Sequence, residues 1–439
     1  MKKQILAGIL AGMMCFSLTA CSPSGGATEP ESAANEVASE TEQESEVGEE
    51  NNLETGEAAE KSISGKITFV HCEGNDKEGF IKLVDEFKTA YPDVELETSY
   101  MVNSELKKNM QINMLAGNLP DVLVFDSPDF ATFAANGYFL DITDYMNEWG
   151  EIENFYEGPL NSVTYDGKIY GLPWYSNNLA VYYNKEMLEE AGVEPPTTWE
   201  ELEEAAATLT KDGVYGFGMA LPKSEVGTFQ YIPWLYSAGG DISDLSSDAA
   251  IEALTFVSGL VEKGYMSKEV VNWAHGDLEK AFLGEKVAMI EFGSWGISSL
   301  SSAEFEWGVV PMPAKDVNGE SITVIGGYNV GISKDCENID AALAFLKFIG
   351  SKEQAASYAE AVGCIPVRGD VEENEFWEKE PMKIFADSMP NAVSRVNPFW
   401  PDLSANVQTA IQGAVTGEKT PEEALKEANE KNAAYWNIK

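Results

Sequence analysis

Four consecutive apolar residues, Val122-Leu123-Val124-Phe125, run straight into Asp126 with no polar residue among them. So short a run without alternation predicts a strand buried on both faces, and such a strand needs helices on each side of its sheet. The flanking segments provide them. Ile67 to His71 predicts a strand, while Phe80, Leu83, Val84 and Phe87 recur at helical spacing until Tyr91-Pro92-Asp93 breaks the pattern. Val94-Glu95-Leu96-Glu97 alternates as a second strand, and a helix around Leu106, Met110 and Met114 stops at Gly117. Strands alternating with helices predict an α/β fold with right-handed crossovers.

The pattern returns later in the chain. Leu179 to Tyr183 predicts a strand, Thr198 caps a helix carrying Leu202, Ala205, Ala206 and Leu209, and Asp248 is placed to cap the next one. Asp277 predicts the start of a short helix ending at Gly284, ahead of a strand from Val287 to Phe292 and the turn Gly293-Ser294-Trp295-Gly296. Another helix holds Leu343, Leu346, Phe348 and Ile349. The residues after Ser64, about 375 of them, exceed what one core supports, so two lobes are expected.

The first 64 residues do not belong to that fold. Lys2 and Lys3 precede an apolar run from Ile5 to Leu18, too short and too rich in Gly and Ala for a membrane span, and laid out as a secretory signal. It ends Leu18-Thr19-Ala20-Cys21, which resembles the bacterial lipobox and implies lipidation of Cys21, the signal peptide being residues 1–20. Residues 21–64 then form an acidic tether with twelve Glu against Lys61 alone. Such a segment buries too little apolar surface to offset its ordering entropy and is expected to stay extended.

The formal charge of -44 disfavours nucleic acid, anionic lipid surfaces and anionic ligands. With Arg368 and Arg395 as the only arginines, a bidentate phosphate or carboxylate clamp is not expected. Beyond Cys21 the cysteines are Cys72, Cys336 and Cys364, an odd number, and Cys336 with Cys364 is a pair that spacing leaves open. The histidines, His71 and His275, are far apart in sequence and no Cys/His ligand spacing occurs, so neither a metal nor a cofactor is expected.

Several phrases share an order with a known group of proteins. Asp166-Gly167-Lys168-Ile169-Tyr170-Gly171-Leu172-Pro173 is followed by Tyr182-Tyr183-Asn184-Lys185-Glu186, then Ala191-Gly192-Val193, then Pro195-Pro196-Thr197-Thr198-Trp199-Glu200-Glu201-Leu202. Gly117 to Asp126, Ala281-Phe282 with Ala288-Met289 and Trp295, Gly326-Gly327-Tyr328, Pro366-Val367-Arg368 and Gly417 to Leu425 follow in step. From residue 65 onward the chain resembles extracellular solute-binding protein family 1, which includes maltodextrin-binding proteins. The resemblance implies a two-lobed periplasmic-binding-protein fold with a ligand cleft at hinge crossovers, lobe 1 being 65–174 plus 320–362 and lobe 2 being 178–316 plus 366–439. It also implies a monomeric, lipid-anchored, extracytoplasmic binder that passes a carbohydrate, an oligosaccharide, to the permease subunits of an ABC importer, without catalysis.

A sugar offers C–H faces to flat aromatics and hydroxyls to fixed donors and acceptors. Trp295, in its glycine-flanked turn, matches a stacking position of the family, as does Trp400, for which Phe399 could substitute. Tyr231 and Trp234 precede Gly239-Gly240-Asp241, a phrase the family uses to line lobe 2, although core packing explains both equally well. In lobe 1, Glu73 and Asn75 follow the first strand and Asp126 ends the third, while Asp76 reads as a helix cap. Trp174, Tyr175 and Ser176 lie just past the expected hinge, and Gly326, Gly327 and Tyr328 would present backbone amides beside an aromatic lid.

Two rival readings use the same residues. A glycoside hydrolase also pairs carboxylates with aromatics, but no nucleophile elbow, Walker loop or dinucleotide fingerprint is present. A binder of a cationic solute such as a polyamine would use the aromatics through cation–π contact.

Overall fold

The computed structural model describes residues 62–72, 77–101, 103–371 and 375–436. The signal-like segment, Cys21, the tether up to Lys61, and Glu73, Asn75 and Asp76 lie outside the described residues. Strands and principal helices are numbered below in chain order.

Strand β1 (Gly65–His71) leads to helix α1 (Glu78–Ala90), whose buried face is Phe80, Leu83, Val84 and Phe87, the four residues of the helical period. Then follow β2 (Val94–Tyr100), α2 (Asn103–Leu115), β3 (Val122–Asp126) and α3 (Ser127–Ala135). β1 pairs in parallel with β2 on one side and with β3 on the other. Val122 to Phe125 are covered on both faces, as their unbroken apolar run requires. β4 (Gly171–Asn177) is buried throughout, and after Asn178 alone the chain continues as β5 (Leu179–Asn184) in a different sheet.

The second sheet follows. Helix α4 (Trp199–Leu209) opens with a reciprocal cap: the Thr198 hydroxyl accepts from the Glu201 amide and the Glu201 carboxylate accepts from the Thr198 amide. β6 (Tyr215–Gly218), α5 (Glu225–Ser237) and α6 (Asp248–Glu262) come next. The cap of α6 is Ser247, whose hydroxyl accepts from the Ala250 amide; the expected Asp248 is instead the first helical residue, where its charge suits the helix dipole. Similarly α7 (His275–Leu283) starts two residues before Asp277, which reaches back to accept from the Ala274 amide. β7 (Val287–Gly293) and β8 (Trp307–Val310) complete the sheet. The chain then returns to the first sheet as β9 (Gly326–Ile332) and packs α8 (Ile339–Ile349) and α9 (Lys352–Val362) against it, before α10 (Trp400–Val415) and α11 (Pro421–Trp436) cover the second.

The first sheet therefore runs β2-β1-β3-β9-β4 and the second β8-β5-β7-β6. Neither is purely parallel. β9 is antiparallel to both β3 and β4, and β5 is antiparallel to β7 and β8. Separate cores form around them: Phe69, Phe87, Trp174, Phe345 and Tyr358 around the first, and Trp199, Phe217, Tyr231, Trp234 and Trp400 around the second.

The crossings between sheets are tied together by backbone. Ser176 and Ile365 exchange amide hydrogen bonds of 2.9 and 2.8 Å. The Thr323 hydroxyl accepts from the Leu179 amide at 3.0 Å and donates to the Leu179 carbonyl at 2.8 Å. Cys336, near the start of α8, and Cys364, just past α9, are not joined to each other, so the pairing that spacing left open is not formed. Among the described residues no helix is long and apolar enough to cross a membrane.

Candidate functional site

A cavity of about 660 Å³ is lined by strand ends of the first sheet and by helix and turn residues that pack with the second. The first wall is made of strand ends. Asp126 ends β3 and lies opposite Tyr328 of β9 in the ladder; Tyr328 in turn lies opposite Tyr175 of β4. The two tyrosine rings are 5.5 Å apart. Gly327 has φ +124°, and a Cβ there would stand 2.2 Å from the Tyr175 carbonyl oxygen, so only glycine lets β9 run this close to β4.

The second wall is made of rings from two helices and from the turn after β7. Trp295 lies 6.3 Å from Phe229 of α5, nearly parallel to it, and 5.1 Å from His275 of α7. The Trp295 indole folds back over Gly293, where a Cβ would come within 1.9 Å of it; glycine at the end of β7 is what allows that pose. On another face of Phe229 sits the Arg395 guanidinium, 4.5 Å from the ring centroid.

Charge is concentrated around that arginine. Arg395 Nη1 donates to Glu225 Oε1 and Nη2 donates to the Ile325 carbonyl at 3.2 Å. Glu225 is held from behind as well, accepting from Trp400 Nε1 at 2.9 Å and from Ser404 Oγ at 2.6 Å. From the opposite wall, burial pushes the Asp126 carboxyl up to about 7, with Arg395 opposing the shift and Glu225 reinforcing it. Burial also depresses the His275 imidazole to about 4, so it is neutral at pH 7.

Of the residues the sequence singles out, Asp126, Tyr175, Trp295, Gly326, Gly327 and Tyr328 come together around this cavity. Glu73 and Asn75 lie outside the described residues, and Trp174, Ser176, Tyr231, Trp234 and Trp400 do not line it. Trp174 is stacked on Tyr358 with centroids 4.5 Å apart inside the first core. Ser176 is buried in the crossing and donates its hydroxyl to the Gly326 carbonyl. Tyr231 donates to the Ala250 carbonyl and Trp234 donates to Glu291 at 2.7 Å, both within the second core. Trp400 is only 2% exposed, so it offers no stacking face; its N–H serves Glu225.

Phe229, His275, Glu225 and Arg395 also line the cavity, and the sequence does not point to them as ligand contacts. Helix α5 is buried continuously from Gly227 to Leu235, so its apolar pattern does not reveal which rings face the cavity. His275 carries a sequence signal only as a possible metal ligand, and two arginines in so acidic a chain do not suggest a charged cluster. Among the described residues no cluster of His, Cys, Asp and Glu could hold a metal ion.

Residues 82–386 match the family model of bacterial extracellular solute-binding proteins. The chain is 23% identical to the maltodextrin-binding protein of Bacillus subtilis (strain 168), over 83% of this chain and 89% of that one. It is 25% identical to the sn-glycerol-3-phosphate-binding periplasmic protein of Escherichia coli (strain K12), over 83% and 91%. The solved structure of maltose-bound MalE3 of T. maritima superposes with a TM-score of 0.76 at 26% identity, covering 84% of this chain and 99% of that one. Two α/β lobes with a cavity at their crossings, and a family match over most of the described chain, agree: this protein belongs to the bacterial extracellular solute-binding proteins.

Proposed function

We propose that this protein captures a carbohydrate, an oligosaccharide, and delivers it to the permease subunits of an ABC importer. The observation that carries the reading is the pairing of walls: Tyr175, Tyr328 and Asp126 line the cavity on one side, Trp295 and Phe229 on the other. Flat rings suit sugar C–H faces, and a carboxyl with backbone amides suits hydroxyls. Relatives that bind maltodextrin and maltose support this class. We assign lobe 1 to 65–174 plus 320–362 and lobe 2 to 178–316 plus 366–439, closing about the crossings as a hinge. The working form is a monomer held outside the membrane by lipid on Cys21, with residues 22–64 as spacer.

The cationic-solute reading is weaker, because Arg395 already brings a cation to Phe229 within the cavity lining. The hydrolase reading draws no support from the relatives named above, which are binding proteins; product formed on overnight incubation with oligosaccharides would restore it. The direct test is a melting-temperature screen of the mature protein against malto-oligosaccharides, other oligosaccharides, polyamines and sn-glycerol 3-phosphate, since a ligand that binds only the folded state raises the transition. A shift with a neutral sugar supports the proposal. A shift confined to polyamines or to the phosphate ester refutes it.

A further inference from the structure

We infer that Glu225 is the residue that makes this cavity select neutral over anionic solutes. The inference rests on the reading of the cavity as a site for a neutral hydroxylated ligand, and names the group that enforces it. Arg395 is 5% exposed yet lines the cavity, and its Nε–H is buried without a partner. A guanidinium in that position, flanked by an aromatic ring, is the group that would capture a phosphate ester. Glu225 cancels it. Its carboxylate takes Nη1, while the Ile325 carbonyl takes Nη2.

The cancellation is built in, because Glu225 does not depend on Arg395 for its pose. It is anchored by Trp400 Nε1 on one oxygen and Ser404 Oγ on the other, and Ser404 is itself 2.8 Å from Thr228 Oγ1. It also stands in the first turn of α5, where the helix dipole favours an anion. Asp126, in the facing wall, adds a second carboxyl to the same cavity lining. A phosphate entering here would meet the Glu225 carboxylate already on the one arginine, and like-charge juxtaposition inside a desolvated site is strongly unfavourable. Among the described residues the remaining cation of the lining is Lys77, which is exposed. The relatives include a maltodextrin-binding protein and an sn-glycerol-3-phosphate-binding protein, so a neutral sugar and a phosphate ester are the two classes to set against each other.

The test is calorimetric titration of the mature wild-type protein and the Glu225→Gln variant with maltotriose, sn-glycerol 3-phosphate and inorganic phosphate. Glutamine keeps an acceptor for Trp400 and removes the charge. The wild type is expected to ignore both phosphate probes at millimolar concentration. The variant is expected to gain affinity for sn-glycerol 3-phosphate by about tenfold or more, decreasing with added salt. Adding Arg395→Gln to that variant should abolish the gain. A variant that melts cooperatively and still ignores both phosphate probes overturns the inference, as does wild-type protein that binds them. Should Glu225→Gln fail to fold, a phosphorylated sugar is compared with its parent on the wild type: loss of about thirtyfold or more on phosphorylation supports the inference, and equal binding overturns it. Absence of maltotriose binding counts against the sugar reading alone, because the phosphate arms are read without it.

Discussion

The two walls of the cavity face the same space but are built by different physics. The wall on the first sheet is backbone-registered. Asp126, Tyr328 and Tyr175 stand opposite one another because hydrogen-bonded ladders place them there, and glycine at 327 brings the strands close. The wall on the second sheet is side-chain-registered. Trp295, Phe229 and His275 come from β7's turn, α5 and α7, and hold one another by ring contact. The first wall carries a carboxyl poised near neutrality, whereas in the second a full ion pair is already closed. Position on the first wall is thus set by strand register, and on the second by packing, which a single side chain can disturb.

The largest expected effect separates the second wall from the core behind it. Trp234 is buried and donates to Glu291, so Trp234→Ala should cost about 3–5 kcal/mol of stability in denaturant unfolding. Affinity of the folded fraction should stay within about twofold. A tenfold loss of affinity at unchanged stability would move Trp234 to the cavity.

Trp295→Ala should do the reverse. Losing a flat face should weaken sugar binding by about 1–3 kcal/mol, five- to hundredfold, with a smaller drop in melting temperature than Trp234→Ala causes. Unchanged affinity would mean that the second wall does not stack on ligand. Gly293→Ala probes the same ring without removing it, since a Cβ at 293 displaces the indole; its loss of affinity should fall between wild type and Trp295→Ala.

The first wall should respond to pH. The Asp126 carboxyl, raised to about 7, is ionised above that value and neutral below it. A ligand hydroxyl that donates to the carboxylate should therefore bind more weakly as pH falls from 8 to 6, by up to about tenfold, and Asp126→Asn should flatten the profile. The linkage runs the other way for the ligand-free protein: a folded value above the unfolded one means this group's contribution to stability declines as pH rises from about 4 to about 7. Parallel pH profiles for wild type and Asp126→Asn would remove Asp126 from the site.

The smallest effect lies outside both walls. Starting the protein near Ser64 should leave affinity within about twofold by titration. A tenfold loss would show that residues 22–64 contribute to binding.

The first wall is largely legible in the sequence. An unbroken apolar run locates β3 and its end points to Asp126, whereas Tyr175 and Tyr328 are marked by the hinge phrase and the Gly-Gly-Tyr phrase of the resemblance, because β4 and β9 do not show as apolar runs. The second wall is legible only in Trp295, whose flanking glycines mark it. Trp234 and Tyr231 of α5 lie in the core behind the cavity while Phe229 lines it, and no periodicity separates them because both sides of that helix are buried. Trp400 is an aromatic at the right place in the chain, yet its N–H supports Glu225 rather than its ring facing the cavity.

What the sequence determined by itself was the α/β alternation and the family, because these depend on local periodicity and ordered phrases. What only the tertiary structure decided was the ion pair of Glu225 with Arg395 across 170 positions, the aromatic wall around it, and the mixed direction of both sheets. Contacts between residues so distant in the chain are set by how the crossings bring two sheets together, and a charge balanced by a partner that far away leaves no mark in composition.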